Sequence, residues 1–71
     1  MMVKGLGQYV SIKVESLNED IGTVMHPVRE LGLKGGEDVF FSASDIFVRD
    51  LESETYFVMV RPEDIYGTVE E

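Results

Sequence analysis

The stretch Gln8-Tyr9-Val10-Ser11-Ile12-Lys13-Val14-Glu15 decides the fold class of this 71-residue chain. Apolar side chains at Val10, Ile12 and Val14 alternate with polar ones, a period of two that is typical of a strand with one face in the core and one in water. The stretch contains neither proline nor glycine. We therefore predict a β-strand over residues 8–15.

Further segments of extended, β-branched or aromatic character follow this strand. They are residues 21–25, 39–43, 46–49, 55–60 and 66–69, with a shorter extended segment at residues 2–4. Residues 61–65 suit one helical turn, because Pro62 fits the first position of a helix. The pattern predicts one all-β domain over residues 1–71, a small and partly open barrel with one short helical turn before its last strand.

Charge and composition exclude several classes of function. Fourteen acidic residues stand against six basic ones, for a formal net charge of −8, and this balance repels nucleic-acid phosphates and anionic membrane surfaces. We expect no nucleic acid and no membrane as partners, and a cytoplasmic location, because no apolar run approaches ~18 residues. The lack of cysteine and the single histidine lead us to predict no metal and no cofactor.

No group of residues has the pattern of a catalytic site. His26 is the only imidazole, and its position before Pro27 at the end of a predicted strand favours a structural or exposed histidine over a catalytic one. Adjacent carboxylates on a strand point to opposite faces and cannot act on one bond. Residues 32–36 are rich in glycine but lack the spacing of a phosphate-binding loop, so we predict a turn there. We predict that the chain is not an enzyme.

Aromatic side chains offer a second route to nucleic-acid binding. The four phenylalanines and three tyrosines could stack on bases, as aromatic residues do in OB-type barrels. Basic residues are few and scattered, however. We therefore attribute most of these rings to packing in the core.

Segments over most of the chain follow the order of one known family. The most specific is Leu33-Lys34-Gly35-Gly36-Glu37-Asp38-Val39-Phe40-Phe41, and residues 54–60 and 63–71 continue the match. Residues 3–15 and 22–25 fit the start of the same scheme. Together they resemble the GroES-type co-chaperonin (chaperonin-10) family. The resemblance implies a small GroES-like barrel in a reduced form, with a shortened mobile loop at residues 15–20 and a roof hairpin shortened to residues 27–32.

The resemblance also implies sites. Members of that family form rings of about seven subunits by pairing the first and last strands of neighbours, and their mobile loop docks on a large chaperonin ring. In this sequence the loop residues available for docking are Leu17, Asn18 and Ile21. The segments that match the terminal strands predict a subunit interface at Met2, Val3, Lys4, Leu6, Thr68, Val69 and Glu70.

The functional hypothesis is a co-chaperonin-like homo-oligomer, a heptamer, that assists protein folding or assembly by binding a large chaperonin ring or another protein. Oligomerisation also suits the short chain, because a single small core seldom supplies more than ~3–5 kcal/mol. Two alternatives remain open. One is a monomeric SH3- or OB-like module for a peptide or small ligand, and residues 31–44 faintly resemble the small molybdate-binding barrels. The other is a structural component of a phage or other particle.

Overall fold

The computed structural model describes residues 7–42, 44 and 46–70, and within them the chain is all-β. Two 3-10 turns, Arg29–Leu31 and Pro62–Asp64, are the only helical elements of these residues. The second of them is the predicted turn before the last strand. The strands are β1 (Val10–Val14), β2 (Ile21–Val24), β3 (Asp38–Phe41), β4 (Phe47–Asp50), β5 (Thr55–Val60) and β6 (Ile65–Thr68).

All six strands form one antiparallel sheet in the order β4-β5-β1-β2-β3-β6. β1 lies near the middle, with Ile12 opposite Val58 of β5 on one side and opposite Val24 of β2 on the other. Among the described residues, β4 and β6 each pair with one strand only, so the sheet stays open between them. The predicted all-β, partly open fold is confirmed. In the same residues, no helix has the length and apolar character needed to cross a bilayer.

The hydrophobic core lies on one face of this curved sheet. Ile12, Val24 and Val39 are completely buried, and each belongs to a different strand. The alternation in β1 places its valines and its isoleucine on this face, as the sequence predicts. The core consists of Val10, Ile12, Val14, Val24, Val28, Leu33, Val39, Phe41, Val58 and Val60, with Tyr56 and Ile65 packed against it.

The second face of β1 is less exposed than its polar residues predict. Ser11 is fully buried and its Oγ has no hydrogen-bond partner in the described part of the chain. It lies opposite Met59 of β5, and the neighbouring Lys13 lies opposite the buried Phe57. The expectation of a fully solvated second face is therefore wrong at Ser11, because a central strand has large side chains beside it that shield a small serine.

His26 has the structural role that its position predicts. Its Nε2 accepts the backbone N–H of Ser11 at 3.1 Å, and its Nδ1 lies 3.2 Å from the carbonyl oxygen of Pro27. The neutral ring with its proton on Nδ1 satisfies both contacts. The N–H of Met25 donates to the oxygen of Ser11 at 3.0 Å. Both backbone groups of Ser11 are therefore bonded just beyond the end of β2, the oxygen to Met25 and the N–H to the imidazole.

The glycine-rich segment at residues 32–36 is a turn, as predicted. Gly35 has a φ of 102°, a conformation that side chains disfavour. The carboxylate of Glu37 accepts the backbone N–H groups of Lys34 at 2.8 Å and of Gly35 at 2.7 Å. These bonds lower the pKa of Glu37, and the bond from the Lys34 N–H has the largest effect. The N–H groups that a phosphate-binding loop would present to a ligand are therefore bonded to the protein's own carboxylate.

Candidate protein-interaction surfaces

The connection between β1 and β2 is a tight turn that carries the predicted docking residues. The N–H of Glu19 donates to the backbone oxygen of Ser16 at 3.1 Å, and the N–H of Asn18 donates to the Oγ of Ser16 at 3.3 Å. Leu17 and Asn18 are exposed on this turn, and Ile21 is exposed at the start of β2. All three predicted docking residues are therefore accessible to a partner.

A groove of about 460 Å³ lies beside this turn, and its walls are mostly polar. Ile21 contributes to the walls but Leu17 does not, so the two predicted apolar contacts are not brought into one apolar cleft. Thr23 donates to a carboxylate oxygen of Asp38 at 2.8 Å across part of the groove. The other polar residues of the walls are Lys13, Glu15, Glu19 and Thr55. Three carboxylates against one ammonium group make the groove unsuitable for an anionic ligand.

The predicted subunit interface is only partly within the described residues. Met2, Val3, Lys4 and Leu6 lie outside them. Thr68 is the last residue of β6, and Val69 and Glu70 follow it directly. All three are exposed.

On the side of β6 away from β3, no other strand of the described residues is paired. Val69 donates its N–H to the oxygen of Asp38 at 2.8 Å, and Thr68 lies opposite Val39. Bonded and non-bonded pairs alternate along an antiparallel ladder, so the N–H and C=O of Thr68 point away from β3. Groups of this kind are a template for pairing with another strand.

An apolar groove of about 140 Å³ runs along the β6 edge. Leu31, on the first 3-10 turn, is half-exposed at its rim, and Tyr66 is 63% exposed. The Tyr66 ring lies 6.3 Å from the ring of Phe40, which in turn covers Gly67 so closely that a Cβ there would lie 2.9 Å from it. The remaining lining residues are Leu33, Val39, Ile65 and Thr68.

The opposite edge of the sheet, β4, is apolar on both of its faces. Phe47 lies opposite Val58 and so points to the core side, whereas Val48 lies opposite Phe57 and points to the other side. Ile46, Phe47 and Val48 are 50%, 46% and 41% exposed. Three consecutive large apolar side chains are thus open to solvent along this edge.

One aromatic residue of β5 joins the core-side groups of β4 into a cluster. The Tyr56 ring lies 6.0 Å from the ring of Phe47, nearly edge-on at 79°. The guanidinium carbon of Arg49 lies 6.0 Å from the centre of the same ring, within the range of a cation–π contact. The positive charge on this edge is therefore held over an aromatic face.

The acidic residue of β4 is turned away from the edge. Asp50 is buried, and its carboxylate accepts a hydrogen bond from the Ser53 hydroxyl at 2.9 Å and one from the Glu52 N–H at 3.1 Å. The bond from Ser53, with that from the Glu52 N–H, lowers the pKa of Asp50. Asp50 thus shapes the turn into β5, and its carboxylate is buried and not exposed on the surface of the edge.

The beginning of the β4 edge is held by a hydroxyl group. The N–H of Met59 donates to the oxygen of Ile46 at 2.9 Å. The reciprocal bond, from the N–H of Ile46 to the oxygen of Met59, is replaced by a bridge through Ser44. The Ser44 hydroxyl donates to the oxygen of Met59 at 2.6 Å and accepts the N–H of Ile46 at 3.1 Å. One serine side chain therefore aligns the strand that leads into β4.

The sequence patterns did not identify these two apolar edges. Phe41 and Phe57 are buried, as expected of core rings, but Phe40, Phe47 and Tyr66 are exposed. The attribution of most rings to the core is wrong for those three, because they lie at or beside the end strands of the sheet. A signal was present at residues 46–48, where three apolar residues follow one another without alternation.

Comparison of the chain with protein-family models, with curated proteins and with solved structures found no match. The similarity to co-chaperonins therefore rests on the sequence segments quoted above. The function of the chain has to be inferred from its own surfaces.

Proposed function

We propose that this chain is a reduced co-chaperonin-like subunit, which assembles into a ring of about seven copies and acts by binding protein. The observation that carries the proposal is the β6 edge. There, backbone groups of Thr68 that point away from β3 and have no partner among the described residues lie beside an apolar groove of about 140 Å³. A strand added to this edge would bond to the backbone and place alternate side chains in the groove.

The strand that we propose to add is residues 2–4 of a neighbouring copy. Met2 and Val3 point to opposite faces of such a strand, so one of the two supplies an apolar side chain for the groove, and Lys4 supplies a charge opposite to that of Glu70. Pairing between two different segments of the same chain is head-to-tail, and such contacts close into rings when the rotation permits. The added strand would also increase the buried apolar area of a small domain.

Within the ring, Leu17, Asn18 and Ile21 make the contact with a large chaperonin ring or another protein. Their exposure on and beside a short turn favours this role. Two apolar side chains form a weak contact by themselves. A ring presents several copies of them at once, so binding would depend on multivalency.

The mass of the protein in solution tests the ring. We expect sedimentation velocity to give a particle built from rings of about seven chains of 8.0 kDa, either one ring or a pair of joined rings. Thr68→Pro removes an N–H that points away from β3, so the subunit should keep its fold while the ring dissociates. Thr68→Ala keeps that N–H and should keep the ring. A monomeric wild-type chain would overturn the proposal.

Substitution of the exposed turn tests the docking role. Leu17→Asp should abolish co-sedimentation with a large chaperonin ring in the presence of nucleotide, and it should leave the oligomer intact. Leu51→Asp is the matched control, because Leu51 is 77% exposed on a different turn. Equal binding by both variants and the wild type would remove the docking assignment and leave the ring untouched.

A monomeric binding module is the second candidate, and the groove of about 460 Å³ favours it. Its three carboxylates suit a basic peptide better than an anionic ligand. A mass of one chain, together with binding of a lysine-rich peptide that is lost in Asp38→Asn, would support the module over the ring.

A further inference from the structure

We propose that the β4 edge is a second self-association surface, at which two copies of the chain pair β4 with β4 about a two-fold axis. The proposed ring uses the β6 edge, so this contact goes beyond it and does not depend on it. The occupant of the surface is a second copy of this chain. Three features of β4 lead to that choice: its backbone pattern, its side chains and its charge.

The backbone of β4 matches itself. The N–H of Met59 donates to the oxygen of Ile46, so the alternate residues Val48 and Asp50 also bond to β5. The N–H and C=O groups of Phe47 and Arg49 then point away from the sheet. In an antiparallel pair of two β4 strands, Phe47 of each copy can bond to Arg49 of the other, with the two-fold axis at Val48.

Only one alignment uses all of these groups. Placing Arg49 opposite Arg49 sets like charges side by side, which is unfavourable across a sheet. Placing Phe47 opposite Phe47 leaves the outward groups of both Arg49 residues without a partner in β4. The alignment centred on Val48 bonds both outward residues of each copy and separates the two guanidinium groups.

The side chains also fit this alignment. On the core side, Arg49 of one copy would lie across from Phe47 of the other, beside the ring of Tyr56. Each guanidinium group would then contact aromatic rings from both copies. On the other side, the two Val48 side chains would meet and lose the exposure that they have in one copy.

Charge and the lack of edge protection point to the same occupant. A chain with a net charge of −8 repels its own copies, so a contact between copies requires a surface with little negative charge. β4 has one exposed cation, and its carboxylate, Asp50, is buried and bonded. Natural edge strands are commonly guarded by charged side chains, proline or a bulge. The one exposed charge of β4, Arg49, lies over the Tyr56 ring, and β4 has no proline and no register shift with β5.

Cysteine cross-linking tests this pairing. The chain has no cysteine, so Val48→Cys introduces a single thiol at the proposed axis. Opposed residues of a non-bonded antiparallel pair have Cα atoms about 4.5 Å apart, within the range of a disulfide. Two Phe47→Cys thiols would be diagonal neighbours about 7–8 Å apart, which is too far. We expect mild oxidation to convert Val48→Cys to a covalent dimer and to leave Phe47→Cys uncoupled.

Two outcomes would overturn the proposal. One is equal cross-linking at both positions, or no dimer at Val48→Cys. The other is preferential coupling of Val48→Cys chains to Thr68→Cys chains, which would indicate that β4 pairs with β6 of a neighbour.

Mass measurements separate this contact from the proposed ring. Val48→Lys should halve the mass of the native particle, whereas Thr68→Pro should leave a dimer. A Val48→Lys particle of unchanged mass would overturn the β4 pairing and leave the ring proposal standing. A dimeric wild-type chain that becomes monomeric on Val48→Lys would support the β4 pairing and overturn the ring.

Discussion

The two edges of the sheet, β4 and β6, offer different things to a partner. Beside β6 lies an apolar groove, next to the 3-10 turn that carries Leu31. β4 has exposed apolar groups on both faces, and Tyr56 fills the space next to Phe47. An edge with a groove selects a strand by its side chains, whereas a flat edge with a symmetric backbone pattern can pair with its own copy. Two ends of one sheet can therefore support two different kinds of association.

The two edges also differ in regularity. β6 shifts register against β3 between Phe40 and Phe41, and irregularities of this kind limit how far a second strand can pair. β4 keeps a regular register with β5 along its whole length. A further strand could therefore pair with β4 along its whole length, but with β6 only around Thr68, beyond the register shift.

The largest effect that we expect comes from the middle of the sheet, on which both edges depend. A Cβ at Gly22 would lie 2.6 Å from the Ile12 side chain and 2.6 Å from the carbonyl oxygen of Lys13. Gly22→Ala should therefore destabilise the domain by about 1–3 kcal/mol through overpacking, more than the ~0.4–1 kcal/mol gained from a stiffer unfolded chain. Urea unfolding of the monomeric Thr68→Pro, Val48→Lys background measures the change.

A substitution at the next residue serves as the control. Ile21 is exposed beside Gly22, and Ile21→Ala should change the midpoint of unfolding only slightly. If Gly22→Ala were as stable as its parent, the close contact between β1 and β2 would not be a constraint on the sheet.

An intermediate effect should separate the two edges. Ser44→Ala removes the hydroxyl that bonds Met59 and Ile46, and we expect a loss of about 1 kcal/mol with faster hydrogen exchange along β4. Ser42 follows β3, and its backbone N–H, which an alanine would keep, donates to the oxygen of Asp64 at 2.8 Å. Ser42→Ala should leave exchange at β6 unchanged. Equal changes at both edges would contradict a local role for Ser44.

The smallest effect that we expect is a change in how the stability of the domain depends on pH. Hydrogen bonds lower the folded-state pKa of Asp50, at the end of β4, and of Glu37, next to β3. A carboxyl group with a lowered folded-state pKa stabilises the fold at pH values above its unfolded pKa and loses this contribution as the pH falls through the folded value. The melting temperature should therefore fall on acidification below about pH 4. Asp50→Asn and Glu37→Gln should each flatten that fall, and a curve unchanged in either variant would contradict the role of that carboxylate.

Much of the fold could be predicted from local patterns. β5 spans the predicted residues 55–60, β1 lies within the predicted 8–15, and β2 ends one residue before its predicted end. Both ends of β4 lie one residue later than predicted, and both ends of β6 lie one residue earlier. The predicted strand at 39–43 begins one residue earlier in the structure, at Asp38, and its residue 43 lies outside the described residues. Alternation, β-branched residues and turn glycines are local features of the sequence, so they predict strands and turns before the tertiary structure is known.

The candidate surfaces were less predictable for a physical reason. The exposure of the docking turn could be expected, since Leu17 and Asn18 lie in a short polar connection. The apolar edges were harder to predict. The lack of alternation at residues 46–48 indicates a strand that is apolar on both faces, but such a strand has the same composition at the centre of a sheet and at its edge.

Period-two patterning and an acidic, cysteine-free composition were enough to specify an all-β domain, because each of these properties depends on the residues themselves and their nearest neighbours. Strand order is different, since it depends on which distant segments pair. Only the folded chain places β4 and β6 at the ends of the sheet, buries Ser11 beside Met59 and sets the His26 ring against a backbone N–H. The same long-range pairing decides which apolar side chains enter the core and which remain open to a partner.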